Sequence, residues 1–562
     1  MKTVIIGGVA GGASAAARLR RLDEKAEIVM LERGEFISFA NCGLPYYIGG
    51  EIKKKSALTL QTPESFFARF NIDVRIFSEA ISIDKDNKII TVKNLKTADI
   101  YTESYDTLIL SPGAKPVVPN LPGIDNDKVF TLRNIPDTVK IKEYVDEEFP
   151  DSAVVVGGGY IGVEMAENLK NAGLDVTIVE MQDHLIASLD YDMACDVHNY
   201  LCEKDVKVVL NSAVTAVEEK SGKLKIELTS GQIETDMIIL SVGVKPESEL
   251  AIKCGLDVNE KGSIVVNDNM QTSDPNIYAV GDAVQIKHFV TKDKSFIPLA
   301  GPANKQGRIA ADNICNIKSQ YKGTQGSSIL KIFDMTVAVT GITEKTAIEK
   351  DLDYDKVFIY SASHAGYYPN GTNMSIKTIF EKKTGKILGA QIVGFDGVDK
   401  RCDTMAVAIR AGMTAYNLCD LEFCYAPPFG SAKDPINFVG FVIENLLDGR
   451  VKNFHWHDVA ALPKDNSLTL LDVRTKTEYE EGHIDGFKNI PLDDLRNHLN
   501  EIDKTKPLYL HCKSGLRSYI ACQILGGNGF DCYNLSGGYR LYDSIINSKI
   551  TKEYSCYDMI KD

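Results

Sequence analysis

One pattern occurs twice in this chain: an apolar strand, a glycine-rich turn, a helix, and a second strand that ends in glutamate. In the first copy, residues 2–7 (Lys-Thr-Val-Ile-Ile-Gly) read as a buried parallel strand. The turn Gly7-Gly8-Val9-Ala10-Gly11-Gly12 follows, then a helix over 14–22 and a strand over 26–32 closing on Glu32. In the second, Val154-Val-Val is the strand, Gly157-Gly-Gly-Tyr-Ile-Gly162 the turn and 163–172 the helix, and 176–180 closes on Glu180. Glycines let backbone approach a pyrophosphate, and the helix N-terminus aims N–H groups and a positive dipole end at it. Two such units imply two dinucleotides.

The copies differ in strictness. Gly157, Gly159 and Gly162 match G-x-G-x-x-G, with Tyr160 and Ile161 between, whereas Val9 stands at the third position of the first turn. Alone, that turn also fits a bend without a ligand. Glu32, 20 residues past Gly12, is placed to accept from ribose hydroxyls, and Glu180, 18 residues past Gly162, does the same at the second site. A carboxylate there favours a free 2′-hydroxyl. Met181, Gln182 and Asp183 offer no cation for a 2′-phosphate, so NADH is expected over NADPH. The second unit reads as inserted within the first domain, whose features resume near residue 270.

Further along stand Leu108-Ile-Leu-Ser-Pro-Gly-Ala114, a strand ending in a tight turn, and a strand followed by Gly281-Asp282, where Asp282 is placed to bond flavin ribityl hydroxyls. These elements, in this order, resemble the two-dinucleotide-binding flavoprotein disulfide reductases. The resemblance implies FAD at the first site, with contacts at Gly7, Gly8, Val9, Ala10, Gly12, Glu32, Arg33, Asn41, Ala80, Ser111, Gly113, Gly281, Asp282 and Ala300. It implies NADH at the second, with contacts at Gly157, Gly159, Tyr160, Ile161, Gly162, Glu180 and Gly243.

Cys42 lies in Ser38-Phe-Ala-Asn-Cys-Gly-Leu-Pro-Tyr46, ten residues past Glu32. Where two-cysteine reductases carry Cys-x-x-x-x-Cys, this chain has Tyr47, so Cys42 has no local resolving partner. It must work with an external thiol or cycle as a sulfenic acid; a thiolate beside a flavin can give or receive electrons. The stretch resembles the coenzyme A-disulfide reductase branch of the single-cysteine reductases, a group that also holds NADH oxidases and peroxidases. The likeness covers residues 1 to about 445. It implies a mixed disulfide between Cys42 and CoA, and CoA contacts at Ser14, Arg18, Arg21, Ser38 and Asn41. Arg18 and Arg21, one turn apart on the first helix, are expected to hold CoA phosphates together; a solvated basic face is the bland alternative. It also implies tyrosines acting from the partner subunit: Tyr425, and Tyr367 or Tyr368, with Tyr368 preferred, beside Lys433 as a charge contact to CoA. An obligate homodimer follows if they act across subunits.

Near the C-terminus a strand ends at His511, and Cys512-Lys-Ser-Gly-Leu-Arg517-Ser518 leads into a helix over 519–525. Such a loop collects N–H groups round a thiolate, and Arg517 adds a cation, which together lower a thiol pKa and stabilise a persulfide. With Leu471-Asp-Val-Arg474, Glu478, Gly482-His-Ile-Asp-Gly486 and Leu535-Ser-Gly-Gly-Tyr539, the segment resembles the rhodanese sulfurtransferases over about 454–556. Phosphatases of the same fold need a loop one residue longer.

The expected fold class is α/β: two Rossmann-like dinucleotide-binding domains, an α+β interface (dimerisation) domain, and a C-terminal rhodanese α/β domain. The expected boundaries are 1–150 and 271–324 for FAD, 151–270 for NADH, 325–445 for the interface domain, 446–453 for a linker and 454–562 for rhodanese. At 562 residues several domains are required. A net charge of −14 disfavours nucleic acid. No run approaches a membrane span, and no signal peptide opens the chain, which points to the cytoplasm. Its 12 cysteines include no Cys-x-x-Cys pair and no metal-ligand spacing, so no metal is expected.

The leading expectation is an FAD-dependent reductase that uses NADH on CoA disulfide, CoA persulfide or polysulfide through Cys42, with Cys512 handling sulfane sulfur. The cysteines are far apart in sequence, so a mobile carrier such as a pantetheine arm is expected between them. An NADH oxidase or peroxidase cycling Cys42 as sulfenic acid is the alternative within enzymes. A redox-sensing binding protein whose rhodanese domain only docks partners is the alternative outside them.

Overall fold

The computed structural model describes residues 1–548, and the expected end of the rhodanese domain, 549–562, lies outside the described residues. The chain divides into two compact units, 1–181 with 212–326 and 182–211 with 327 onward.

The first unit holds two parallel sheets. One runs Ile277–Ala279, Thr107–Leu110, Lys2–Ile6, Glu27–Leu31, Asp73–Arg75 in spatial order. The other includes Asp175–Val179, Ser152–Val156, Met237–Leu240 and Val129–Thr131. Their central strands are nearly continuous apolar runs because helices cover both faces; Val4, Ile5, Val154 and Val155 are at most 1% exposed. The first helix, Ala10–Leu22, packs against Ala300–Ile314, and small residues let them approach. A Cβ on Gly307 would sit 2.3 Å from the Gly11 carbonyl oxygen.

Two expected boundaries move. Val129–Thr131 pairs with Met237–Leu240 in the second sheet, so that domain begins before residue 151. Helix Glu249–Lys253 packs on strand Ser78–Asp84 of the first domain, so that domain resumes well before 271. Residues 182–211 group with the second unit. There Asp190 accepts from Gln391, and Asp192 and Asp196 accept from Lys377 and Ser375.

In the second unit, five antiparallel strands run Ser328–Ile332, Met335–Gly341, Ile387–Gly394, Asn373–Glu381, Tyr354–Ala362. Helices Val398–Ala411, Ala415–Asp420 and Pro435–Leu447 follow. A five-stranded parallel sheet then runs Lys452–Phe454, Cys532–Leu535, Leu508–His511, Thr469–Asp472, Lys488–Asn489. Alternate residues of its strands feed two apolar clusters, Leu471, Leu508 and Leu510 into one and Leu470 and Tyr509 into the other. The expected linker 446–453 shrinks: Pro435–Leu447 reaches into it, and Lys452–Phe454 is already an edge strand of this sheet. Among the described residues no helix is long and apolar enough to cross a membrane.

Candidate active site

The two glycine turns are built alike. Gly7 and Gly157 adopt φ of +98° and +103°, and their N–H groups donate to Leu31 and Val179 at 2.9 and 2.8 Å. A Cβ on Gly12 or Gly162 would sit 1.9 Å from the carbonyl oxygen of Gly7 or Gly157. Glycine is required at both by close approach. Glu32 accepts from Gly8 N–H at 3.0 Å and Glu180 from Gly158 N–H at 2.6 Å, which holds each carboxylate at its turn. The helix N-caps, Val9 and Gly159, provide no side-chain cap. First-turn N–H groups are therefore left for a ligand, which fits a pyrophosphate at each turn.

Around the first turn, Ser111 N–H donates to Ile6, Gly281 (φ +80°) donates to Gln306 at 2.7 Å, and burial raises the Asp282 carboxyl. Gly113 and Gly243 both have positive φ, and Ala300 opens the helix Ala300–Ile314. Ala80 is buried in the strand Ser78–Asp84. Arg33, expected at the FAD, pairs with Glu247 together with Arg133, at 2.6 and 2.7 Å.

Cys42 sits in a single turn, Asn41–Gly43, just ahead of the short helix Leu44–Ile48. Both Asn41 and Cys42 are exposed, and Ser38 takes a left-handed φ of 44° to bring the chain round. Although one side of Cys42 is open to solvent, the groups packed round its sulfur raise its pKa by desolvation, and the charges of Glu164 and Asp282 raise it further. Sequence reasoning did not single out Glu164. It lies on the helix Tyr160–Asn171, accepts from Tyr46 at 3.3 Å, and is pushed up to about 7, chiefly by burial.

A cavity of about 390 Å³ opens beside the first helix. Ser14, Arg21 and Ser38 line it, as expected residues brought together. So do Gln61, Phe66, Arg69, Phe70, Asn304 and Arg308, which no motif announced. Ser14 donates to Asn304 at 2.5 Å. Three guanidinium groups and no carboxylate line the cavity, so it attracts anions. Arg18 is not among the residues that line this cavity. It pairs with Asp312 at 2.7 Å on the helix Ala300–Ile314.

In the second unit the hydroxyls of Tyr367 and Tyr425 lie 2.7 Å apart and exposed. Tyr368, the preferred residue on sequence, instead packs edge-on against His364 at 5.6 Å. Both rings are exposed, Tyr367 the more so, and sequence alone left the choice between them open. Lys433 is exposed, just ahead of the helix Pro435–Leu447.

Cys512 ends the strand Leu508–His511 and is 0% exposed. Gly515, at φ +97°, donates its N–H to the sulfur at 3.1 Å, and the Ser518 hydroxyl lies 3.3 Å from it. Arg517 grips Glu478 through two bonds of 2.7 Å, holding that carboxyl down to about 2. The Arg517 guanidinium is held at the loop that carries Cys512, with its own pKa raised chiefly by Glu478. Tyr539 N–H donates to the Cys512 carbonyl at 2.8 Å, and a Cβ on Gly538 would sit 2.6 Å from it. Beneath, Arg474 is paired with Asp472 at 2.6 Å, both buried. The three stretches quoted from the sequence thus converge on one loop.

Residues 1–307 match the pyridine nucleotide-disulphide oxidoreductase family. Residues 327–434 match its dimerisation domain, and 455–544 match the rhodanese-like domain. Coenzyme A disulfide reductase of Staphylococcus epidermidis is 37% identical over 442 residues, spanning 78% of this chain and 99% of that protein. Among solved structures, reduced CoADR-RHD of Bacillus anthracis aligns at a TM-score of 0.95 and 51% identity, over 97% of this chain and 98% of that one. An NAD-dependent persulfide reductase from A. fulgidus aligns at 0.90 and 37%, over 96% and 100%.

Proposed function

Because the chain belongs to the pyridine nucleotide-disulphide oxidoreductase family and carries a rhodanese-like domain, we propose that it is an FAD-dependent, NADH-using reductase of CoA disulfide, CoA persulfide or polysulfide. Cys42 forms the mixed disulfide and Cys512 handles sulfane sulfur. The observation that carries this reading is the cavity. It joins three arginines to the aromatic rings of Phe66 and Phe70, the chemistry that holds a phosphorylated adenine nucleotide. Its wall includes Ser38, four residues before Cys42, so a thiol at the far end of a long arm is led toward the reactive turn.

When bound at the two turns, NADH supplies a hydride and FAD passes the electron pair on. The chain's own part is to hold and to exclude. Gly7, Gly8 and the first-turn N–H groups hold one pyrophosphate, and Gly157 and its helix hold the other. Glu32 and Glu180 orient the riboses, and Glu180 disfavours a 2′-phosphate. Cys42 attacks the substrate sulfur–sulfur bond and releases one thiolate. The hydrogen-bonded pair Tyr367–Tyr425, in the part that matches the dimerisation domain, is assigned to protonate the leaving thiolate in the partner subunit's site. At Cys512, the Gly515 N–H and Arg517 steady a persulfide anion.

The test is anaerobic NADH consumption with CoA disulfide, CoA persulfide and polysulfide, and separately with oxygen. The proteins are wild type, Cys42→Ser and Cys512→Ser. Sulfur substrates are expected to drive turnover that Cys42→Ser abolishes and that Cys512→Ser impairs for some donors only. Fast turnover with oxygen or peroxide alone would replace this reading with the oxidase one.

A further inference from the structure

Two cysteines of the rhodanese-like domain stand behind the sulfur-carrying loop. Cys522 is on the helix Leu516–Gly526, whose buried face is Ser518, Ala521, Cys522 and Leu525. Cys532 opens the strand Cys532–Leu535, directly beside the strand that ends at Cys512. Helix and strand meet as a two-rung ladder. On the first rung the Ser518 hydroxyl touches Asn534 Oδ1 at 2.6 Å. Moving four residues along the helix reaches Cys522, and moving two residues back along the strand reaches Cys532. Those steps are about 6 Å and about 6.6 Å, so the second rung sets thiol against thiol. Their proximity pushes the Cys522 thiol up and the Cys532 thiol down.

Cys512 completes the cluster. Its sulfur lies 3.3 Å from the Ser518 hydroxyl, one helical turn from Cys522. All three cysteines pack in one apolar cluster with Leu471, Leu508 and Leu510. The Gly515 N–H reaches the Cys512 sulfur, and Cys512 packs in the apolar cluster that holds Cys522 and Cys532.

We propose that Cys522 and Cys532 form an internal dithiol that discharges the sulfane sulfur of a Cys512 persulfide as sulfide and ends as a Cys522–Cys532 disulfide. This rests on Cys512 acting as a sulfur carrier. The Cys522 sulfur bonds to the inner sulfur of the Cys512 persulfide. The bond to the outer sulfur breaks, and that sulfur leaves as HS⁻ with the Cys522 proton. The Cys532 thiolate then attacks the Cys522 sulfur, and Cys512 leaves as a thiolate. The sulfane sulfur gains two electrons and the dithiol loses two, so no other oxidant is required. The domain can then release one sulfide per charge without Cys42, after which the disulfide awaits reduction.

The full-length protein, fully reduced, is treated anaerobically with inorganic polysulfide in the absence of NADH, quenched with iodoacetamide and mapped by peptide mass spectrometry. Wild type is expected to show the Cys522–Cys532 linked peptide. Cys532→Ser is expected to trap a Cys512–Cys522 disulfide. Cys522→Ala is expected to keep Cys512 heavier by one sulfur atom. Cys512→Ser is expected to lose the linkage altogether. NADH-driven CoA-disulfide turnover, which Cys42 carries, serves as the folding check on each variant. The proposal is overturned if wild type holds the extra sulfur on Cys512 while Cys522 and Cys532 are both alkylated. It is equally overturned if Cys512→Ser still forms the linkage, since polysulfide then acts on the dithiol directly. If no variant takes sulfur onto Cys512, the carrier reading itself fails and this proposal falls with it.

Discussion

At the scale of single residues, legibility follows whether a backbone demand or a packing choice selects the side chain. Gly7, Gly12, Gly157 and Gly162 were legible because only glycine satisfies a left-handed φ or an approach under 2 Å. Arg18 and Arg21 were not distinguishable, because both are long cations on one helix and only the neighbouring helix decides which is buried. Arg308, on that neighbouring helix, carried no local signal at all. This separation is testable. Arg308→Ala should raise KM for CoA disulfide about tenfold with kcat little changed, since it removes a charge-assisted contact to phosphate. Arg18→Ala should leave KM unchanged and lower the melting temperature, because it strands Asp312, which is 8% exposed. Steady-state kinetics and thermal melts on the two variants separate a binding role from a structural one.

At the scale of elements, strands and helices were legible from periodicity, while the side-chain contacts that tie them together were not. Residues 182–211 follow the second glutamate-ended strand and so read as NADH domain. What ties them to the antiparallel sheet is a buried charge cluster that no motif marks. Lys377, 0% exposed, meets Asp190, Asp192 and Glu344 at 3.0, 2.9 and 2.7 Å. Lys356 also pairs with Glu344. Despite the cost of burial, Lys377 and Lys356 hold the Glu344 carboxyl down to about 2. A depressed carboxyl pKa contributes stability that is complete above the unfolded value near 4.5 and is lost as pH falls toward 2. Lys377→Met should therefore cost about 3–5 kcal/mol near neutrality by leaving buried carboxylates short of a cation. The difference from wild type should shrink as pH drops below about 4.5, because the stranded carboxyls then accept protons. Chemical denaturation of both proteins across that range measures it; a cost independent of pH would point to lost packing instead.

At the scale of the whole molecule, composition and motif order announced a reductase followed by a sulfur-transfer module. They did not announce how that module is attached within the second unit. A tether was expected over 446–453, but the sheet takes up the chain at Lys452 and the module is docked along its length. Trp456 donates to Asp192 at 3.3 Å, and Ser544 donates to Asp196 at 2.8 Å. The Phe358 N–H donates to Ser536 at 3.2 Å, and the Arg540 guanidinium stacks over Tyr360 at 4.3 Å. These contacts reach the strand Tyr354–Ala362 and the helix Tyr191–Glu203, and the module side of them includes Ser536, three residues before Tyr539. Tyr539 holds the Cys512 carbonyl, so docking and the sulfur loop share one turn of chain. A hydrogen bond to a carboxylate is worth about 1.5–3 kcal/mol and a cation–π stack about 0.5–2 kcal/mol, so the pair of anchors at Trp456 and Arg540 is a large part of the attachment. Wild type should unfold the module together with the antiparallel domain in one calorimetric transition. Trp456→Phe combined with Arg540→Ala should split off an earlier transition for the module, while leaving Cys42-dependent reduction of CoA disulfide unchanged. A single transition in the double variant would mean that Ser536, Ser544 and the edge strand suffice to hold the module in place.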